Sequence, residues 1–296
     1  MKMRTVLIIA LAALVLSMTL AASRLAEAKG TLQLVAAENV YGDIASQIGG
    51  PRVHVTSILS DPNADPHLFE PGTRNGLAVA EARLVIQNGL GYDAFMTRLE
   101  SASPSKSRVV VTIADVLGIH GRDANPHLWY DVPKLTRIAG AIAAGLERVD
   151  PAGRATYQAG LRRFVARCAP LRAEVRLLRT QFGGSAVAYT EPVPGYLLAA
   201  ANLRNLAPPA FTRAIEDGSE PPPAAVAAME SLMSGRKVKV LLYNDQTVSP
   251  ITTRIRSAAI AHHIPVVGVS ETLPPHLTFQ QWQLQQARSL ASALGR

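Results

Sequence analysis

Cysteine is almost absent from this 296-residue sequence, and its scarcity removes two kinds of architecture. Cys168 is the single cysteine, so no disulfide can form within the chain and no cysteine-based zinc site can be built. Short enzyme signatures are missing as well: there is no H-E-x-x-H, no G-x-S-x-G and no phosphate loop of the G-x-x-x-x-G-K type. Disulfide scaffolds and the enzymes that carry these signatures therefore receive no support.

A dense block of one charge is also missing, although the formal net charge is +8. The basic residues are scattered along helical stretches and are not interleaved with aromatic residues, as a nucleic-acid surface would require. We therefore expect no nucleic-acid partner.

The first residues predict export. Lys2 and Arg4 precede an uncharged apolar run from Thr5 to Ala22, and Ala26-Glu27-Ala28 matches a small-residue cleavage pattern. A membrane anchor is the alternative, because the run is close to the shortest helix that spans a bilayer. We interpret residues 1–28 as a cleaved signal peptide; no cysteine follows the run, so we expect a periplasmic protein without a lipid anchor. Its removal would lower the net charge to +6, since it holds three basic residues and one acidic residue.

Short β-rich runs alternate with helical stretches, which predicts an α/β fold of parallel, helix-covered sheets. The strand candidates are Leu32–Ala36, Val53–Leu59, Leu84–Gln87, Val109–Ile113, Ser185–Tyr189, Val238–Tyr243 and Val266–Val269. The helix candidates are Val40–Ile48, Arg74–Ala82, Tyr92–Ser101, Pro133–Arg148, Pro223–Gly235, Pro250–His262 and Thr278–Leu294. Asn205 to Pro223 is rich in Pro, Gly and charged residues, which predicts an ordered loop or an irregular insertion.

The length predicts two lobes, because the residues after a 28-residue leader exceed what one core usually holds. We expect an N-terminal lobe at 29–149, a connecting helix at 150–182 and a C-terminal lobe at 183–296. In the connector, apolar residues recur at steps of three and four from Leu161 to Leu178, which predicts one helix of about 30 residues. Pro170 should kink it, because proline lacks the backbone donor that a helix interior uses.

One short phrase occurs twice, as Asp65-Pro66-His67-Leu68-Phe69 and as Asn125-Pro126-His127-Leu128-Trp129. The Asx side chain caps a turn and Pro restricts the backbone around it, while Leu and the aromatic residue are expected to anchor the turn in apolar packing. The phrase thus holds an imidazole still. A single histidine in a loop is usually no ligand, but the repetition favours His67 and His127 as two parts of one metal site.

Carboxylates follow two predicted strands of the second half. Glu191 comes directly after Ser185–Thr190, and Glu271 directly after Val266–Ser270. Since ligands of open parallel sheets bind at the carboxyl ends of the strands, both are candidate ligands together with His67 and His127. Two imidazoles and two carboxylates suit zinc, manganese or ferrous iron, and the donor types alone do not separate them.

Other residues compete less well for a place in the site. Glu38 ends the first strand and is either a partner of the ligands or a solvated loop acid. Asp131 either orients the His127 imidazole or, as we prefer, is the N-cap of the helix that begins at Pro133. Asp65 is better explained as the turn cap. The remaining histidines lack a supporting context: His54, His120, His262, His263 and His276.

With these motifs in place, the chain resembles the metal-binding subunits of bacterial zinc and manganese ABC importers, the cluster A-I solute-binding proteins. The resemblance rests on the two histidine phrases, the connecting helix and Val238–Tyr243 followed by a helix, and it covers nearly all of the chain after residue 28. It implies two α/β lobes joined by a long helix, with His67, His127 and Glu191 as ligands and Glu271 where the family usually has Asp. The chain lacks the His- and acid-rich loop of many zinc-specific members.

The resulting hypothesis is an exported protein, not an enzyme, that captures one Zn²⁺ or Mn²⁺ ion between two lobes. It would act as a monomer and deliver the ion to a membrane ABC permease. The alternative is a secreted metal-dependent hydrolase with a zinc-activated water. A third possibility is an exported structural or adhesive domain that binds no metal.

Overall fold

Two four-stranded sheets organise the chain, and every strand pairing whose register is defined is parallel. The computed structural model describes residues 31–121 and 123–295. The first sheet has the order β2-β1-β3-β4 and the second the order β6-β5-β7-β8. The strands are β1 Leu32–Glu38, β2 Val53–Leu59, β3 Leu84–Gln87, β4 Val109–Thr112, β5 Ala186–Tyr189, β6 Arg204–Asn205, β7 Leu241–Asn244 and β8 Val266–Val269. The predicted α/β fold with two parallel-sheet lobes is confirmed.

Helices cover both sheets. They are α1 Asn39–Gly49, α2 Thr73–Glu81, α3 Phe95–Ala102, α4 Ile113–Leu117, α5 Leu135–Val149, α6 Arg154–Arg167, α7 Ala169–Phe182, α8 Gly195–Ala200, α9 Pro209–Glu216, α10 Pro223–Ser234, α11 Pro250–Ala261 and α12 Phe279–Leu294. Because the sheets are covered, the central strands are mostly buried instead of alternating between buried and exposed residues, and all four residues of β7 are buried.

Both sheets use the same topology. The chain runs from the first strand of each sheet to one neighbour and then crosses to the other side, so the direction reverses between β1 and β3 and again between β5 and β7. Ligands of open parallel sheets bind beside such a reversal, at the carboxyl ends of the strands. The fold therefore provides one binding edge in each lobe.

The connecting segment is helical but is not one continuous helix. It consists of α6 and α7, which meet at Cys168. Pro170 lies in the first turn of α7, where its missing N–H removes no helical hydrogen bond. In place of the predicted kink within one helix, the chain thus has a break between two helices. The first half packs on α1 and α5, whereas the second half packs on α12.

Asn205 to Pro223 is neither an ordered loop nor an irregular insertion, and that prediction is wrong. It contains the end of β6 and the helix α9, whose first residue is Pro209. Proline at the first helical position favours a helix, since its fixed φ suits the first turn. The Pro-rich composition that suggested a loop here marks a helix start.

Some predictions lie outside the described residues or stay untested. The signal peptide at 1–28 falls outside the described part of the chain. Within the described part, no helix combines the length and apolar character that crossing a bilayer requires. The lobe borders at 149 and 183 stay a prediction.

Helix α6 lies so close to α1 that a glycine is needed at the crossing. A Cβ on Gly160 would lie 2.2 Å from the Ile48 carbonyl oxygen and 2.7 Å from its Cα, both backbone atoms that cannot swing aside. We expect Gly160→Ala to lower the free energy of unfolding by about 1–3 kcal/mol, because α6 must move away from α1. Urea denaturation measures this.

Gly140→Ala is the matched control, since a Cβ there meets no atom within 4 Å inside α5. It is expected to raise the free energy of unfolding by up to about 1 kcal/mol through helix propensity. A Gly160→Ala protein as stable as the unchanged chain would contradict the close approach.

Candidate metal centre

The four predicted ligands meet at the seam between the lobes. His67 and His127 come from the loops after β2 and β4, and Glu191 and Glu271 follow β5 and β8. The first lobe thus contributes only imidazoles and the second only carboxylates. The structure brings together all four side chains that the sequence singled out.

The turn of each histidine phrase is capped as predicted. The Asp65 carboxylate accepts a hydrogen bond from the His67 backbone N–H at 2.9 Å, and the Asn125 amide oxygen accepts one from His127 N–H at 2.9 Å. The apolar anchoring differs between the copies. Leu128 is fully buried, whereas Leu68 is 76% exposed, so the expected packing of the leucine is wrong for the first copy.

Asn125 also fixes the ring of His127. Its amide oxygen lies 2.8 Å from His127 Nδ1, so an Nδ1 proton has an acceptor and Nε2 points at the seam. There His127 Nε2 lies 3.1 Å from Glu271 Oε2. If Nδ1 carries the only proton of the ring, two lone pairs face each other, and a proton or a metal ion must lie between them.

The donor atoms lie at distances from which one ion can be held. His67 Nε2 is 2.9 Å from Glu191 Oε1 and 3.7 Å from Glu271 Oε2. Donor atoms of His67, His127 and Glu271 all lie within 4.8 Å of one another, and Glu191 joins this cluster through His67. His127, Glu191 and Glu271 have no exposed side-chain surface, so the cluster is nearly dry.

Pairing between imidazoles and carboxylates shifts the pKa values of Glu271 and His67. Burial alone would raise the pKa of the Glu271 carboxyl, but its hydrogen bond with His127 and the two nearby imidazoles outweigh burial and lower that pKa to about 2. Burial opposes a charge on His67, yet the hydrogen bond to Glu191 and the charges of Glu271 and Glu191 raise the pKa of His67 to about 9. In the metal-free protein, the proton on His67 thus supplies positive charge that a bound metal ion would otherwise supply.

Asn244 is a site residue that sequence reasoning missed. Its side-chain N–H groups donate to Glu191 Oε2 at 2.5 Å and to Glu271 Oε1 at 2.8 Å, so one amide holds both carboxylates. Asn244 is the last residue of β7 and lies at the reversal beside β5. The rule that selected Glu191, a polar residue at the carboxyl end of a buried strand, would have selected it.

Gln246 was missed as well, and it ties the lobes together. Its amide oxygen accepts the backbone N–H of Glu271 at 2.6 Å, and its amide nitrogen donates to the Ala64 carbonyl oxygen at 3.0 Å. Ala64 belongs to the loop that carries His67. Gln246 therefore positions a ligand from each lobe at once.

Tyr92 closes the site from the first lobe. Its hydroxyl donates to Glu271 Oε2 at 2.8 Å, and its ring packs edge-on against both His67 and His127. Burial, followed by the charges of Glu271 and Glu38, raises the pKa of Tyr92 well above its ordinary value. The sequence placed Tyr92 at a helix start; α3 begins only at Phe95, and Tyr92 belongs to the loop before it.

The competing acids are now assigned. Glu38 is buried, not a solvated loop acid, and burial followed by the nearby Asp93 raises its pKa well above the ordinary value. The preferred role of Asp131 as the N-cap of the helix predicted from Pro133 is wrong: α5 begins at Leu135 after a short 3-10 turn, Val132–Lys134, and the Asp131 side chain makes no cap hydrogen bond but pairs with Lys134 at 2.9 Å. Asn125, not Asp131, holds the His127 ring. The metal-ligand cluster found among the described residues contains none of the remaining histidines.

Glu216, at the end of α9, was not predicted because its segment was taken for a loop. Its Oε1 lies 4.0 Å from His127 Nδ1. Burial raises the pKa of this carboxyl and the charge of His127 acts in the opposite direction.

The fold and this cluster define the class: a two-lobed α/β protein with a divalent-metal donor set at its seam. The model of the family described as zinc-uptake complex component A, periplasmic, matches residues 34–293. The chain belongs to that family.

Individual relatives agree with this membership. The chain is 27% identical over 157 residues to the manganese ABC transporter substrate-binding lipoprotein scaA of Streptococcus gordonii, covering 49% of this chain and 50% of the relative. It is 30% identical over 136 residues to the manganese-binding lipoprotein MntA of Halalkalibacterium halodurans, covering 45% of each. The chain spans about half the length of the curated relatives it matches.

Solved structures share the fold over much more of the chain. The periplasmic zinc binding protein TroA from Treponema pallidum matches with a TM-score of 0.78 at 18% identity, covering 90% of this chain and all of TroA. The Mn²⁺ complex of FpvC from Pseudomonas aeruginosa matches with a TM-score of 0.75 at 19% identity, covering 90% of this chain and 98% of FpvC. At these identities the likeness concerns the fold alone.

The pKa of His67 makes the stability of the metal-free protein depend on pH. A histidine whose pKa rises from 6.5 in the unfolded chain to about 9 in the folded chain stabilises fully below pH 6.5, and this contribution is lost as pH rises through 9. We expect the free energy of unfolding of chelator-treated protein to fall by about 2–3 kcal/mol between pH 6.5 and 9. Urea denaturation at several pH values measures it.

His67→Gln is the control, because it removes the titrating ring and retains a polar side chain. Its unfolding free energy should not show this fall. An equal fall in both proteins would assign the pH dependence to another group.

Proposed function

We propose that the protein captures one divalent transition-metal ion, Zn²⁺ or Mn²⁺, between its two lobes. The observation that carries the proposal is the convergence of His67, His127, Glu191 and Glu271 into one buried cluster. An imidazole–carboxylate set without thiolates suits a borderline divalent ion, and calcium would need more oxygen ligands. Family membership and the names of the relatives, which bind zinc or manganese, support the same cargo.

Hydrogen bonding within the cluster favours zinc over manganese. Asn244 occupies Glu191 Oε2 and Glu271 Oε1, which leaves one oxygen of each carboxylate facing the imidazoles. Two nitrogens and two single oxygens make four ligands, the number that zinc prefers in closed sites. Manganese prefers an oxygen-rich octahedral shell, for which both carboxylates would have to release Asn244.

The proposed cargo is handed to a membrane ABC permease, as the names of the relatives suggest for those proteins. We place the protein outside the cytoplasm, in the periplasm, on the strength of the family description and of the leader pattern in residues 1–28. We further propose that it acts as a monomer, without nucleic acid, and that its lobes span 29–149 and 183–296.

A binding role explains the site better than catalysis does. A hydrolytic zinc site keeps an open position for water and has a separate general base. Here the donor atoms of both carboxylates already face imidazoles, and Tyr92 closes the Glu271 side. We therefore propose that the protein is not an enzyme, in keeping with the family description as a component of an uptake complex.

The primary test is metal content. Protein purified without chelator is expected to carry about one equivalent of zinc or manganese by elemental analysis. In competition, zinc should displace manganese, since the site offers four well-placed ligands. The double variant His67→Ala, His127→Ala should bind neither ion and lose the thermal shift that metal causes in the unchanged chain. Unchanged protein that carries no metal and binds neither ion on addition would refute the proposal.

A second test concerns the ring anchor of His127. Asn125→Ala removes the acceptor that faces Nδ1 and is expected to weaken Zn²⁺ binding by about 10–100-fold, as the loss of partners behind a ligand usually does. The control is Asp65→Ala, which removes the cap of the equivalent turn at a residue that makes no contact with the His67 ring; a change below about fivefold is expected. Competition with a fluorescent chelator measures both. Equal losses in the two variants would show that the turn, not the ring contact, matters.

A further inference from the structure

Only one of the four proposed ligands is open to water. The side chain of His67 is 19% exposed, whereas those of His127, Glu191 and Glu271 are fully buried. An ion that exchanges between the cluster and solvent, without the lobes coming apart, therefore passes the exposed edge of His67.

That edge faces a cleft with a cavity volume of about 640 Å³. Its walls come from both lobes: Tyr92 and the loop at 123–126 on one side, Tyr189 and the end of α9 on the other. His67 is the member of the proposed ligand set that lines it. The cleft thus connects the cluster with solvent.

The charge of the cleft is negative near the ligands. Arg213 projects from α9, but it pairs with Asp123 across the seam at 3.0 Å, so these two charges cancel. Among the described residues that line the cleft, the remaining acidic side chains are those of Glu216, which faces His127, and Asp217. A narrow passage of one sign concentrates the opposite ion within it.

Glu216 is the carboxylate placed between solvent and the cluster. Its side chain is 18% exposed, and its Oε1 lies 4.0 Å from Nδ1 of the buried His127. It faces the rear of that ring, while the donor nitrogen Nε2 faces Glu271, so Glu216 lies beside the coordination sphere and not inside it. It can thus contact an ion in the cleft without being a ligand of the bound ion.

We propose that this cleft is the entry and exit route of the metal ion and that Glu216 is a transit ligand, which receives the partly hydrated cation and passes it to His67. This inference rests on the proposed metal-binding function. A group that contacts the ion only on the route lowers the barrier equally in both directions, so it changes rates and leaves affinity almost unchanged. A ligand of the bound ion instead stabilises the complex, so it increases the affinity, mainly by slowing dissociation.

The first experiment measures Zn²⁺ kinetics of Glu216→Gln by stopped flow, with association from metal-free protein and dissociation into excess chelator. Both rate constants are expected to fall by about three- to tenfold, with Kd changed by less than about twofold. Glu220→Gln is the matched control: it removes a negative charge four residues further on, where the side chain lines a different cavity. Its rates should equal those of the unchanged chain.

Two results would overturn the transit role. Faster dissociation with a weaker Kd would make Glu216 a ligand of the bound ion or a source of long-range attraction. Unchanged rates in Glu216→Gln would mean that the ion does not contact it.

The second experiment blocks the route itself. Asp217→Cys places a thiol in the cleft wall, and the single native cysteine, Cys168, is fully buried and so protected from a maleimide in folded protein. Attachment of a bulky maleimide at 217 should slow Zn²⁺ exchange at least tenfold, whereas the same label on Glu220→Cys should leave it unchanged. Unchanged exchange with 217 labelled would refute the route. Failure of the unlabelled chain to bind Zn²⁺ at all would instead refute the proposed function.

Discussion

Two carboxylates that water cannot reach lie next to each other, and the rest of the site compensates for their charge. Glu191 and Glu271 are each 1% exposed and share one amide, that of Asn244. Buried charges of like sign are tolerated only when cations or donors balance them. The two imidazoles supply that balance, through a proton in the metal-free protein and through an ion in the proposed complex. The two carboxylates thus share positive charge from the imidazoles and hydrogen bonds from Asn244 and Tyr92.

The same side chains that position the ligands also join the lobes. Gln246 links the backbone of Glu271 to the loop before His67, and Asn125 donates to the Pro192 carbonyl at 2.7 Å while holding the His127 ring. Asn39 of the first lobe exchanges two hydrogen bonds with the backbone of Leu273, at 2.8 and 2.9 Å. Contacts that close the seam and contacts that order the ligands therefore share the side chains of Gln246 and Asn125.

Local sequence patterns predicted the residues whose conformation depends on their neighbours in the chain. They failed for residues whose position depends on how the two lobes pack together. The turn that holds His67 is encoded in five consecutive residues, and Glu191 follows a strand that its apolar composition marks, so both could be predicted from the sequence. Glu216 could not, because its position near His127 depends on how the end of α9 meets a loop 89 residues earlier in the sequence, across the seam. The exposure of Leu68 was missed for the same reason, since the copied phrase does not specify what packs on it.

The interruption at Cys168 has a mechanical consequence. Helix α6 packs mainly on the first lobe and α7 mainly on α12 of the second, although Phe164 of α6 also contacts Phe279 of α12. Each half has 14 residues and is therefore ~21 Å long. A change of about 10° in the angle between them would displace the far end of one half by about 3.7 Å. Such a displacement is as large as the 3.7 Å between His67 Nε2 and Glu271 Oε2. Because the two helices meet end to end, a bend of this size at Cys168 would act as a lever and change the spacing between the imidazoles of one lobe and the carboxylates of the other.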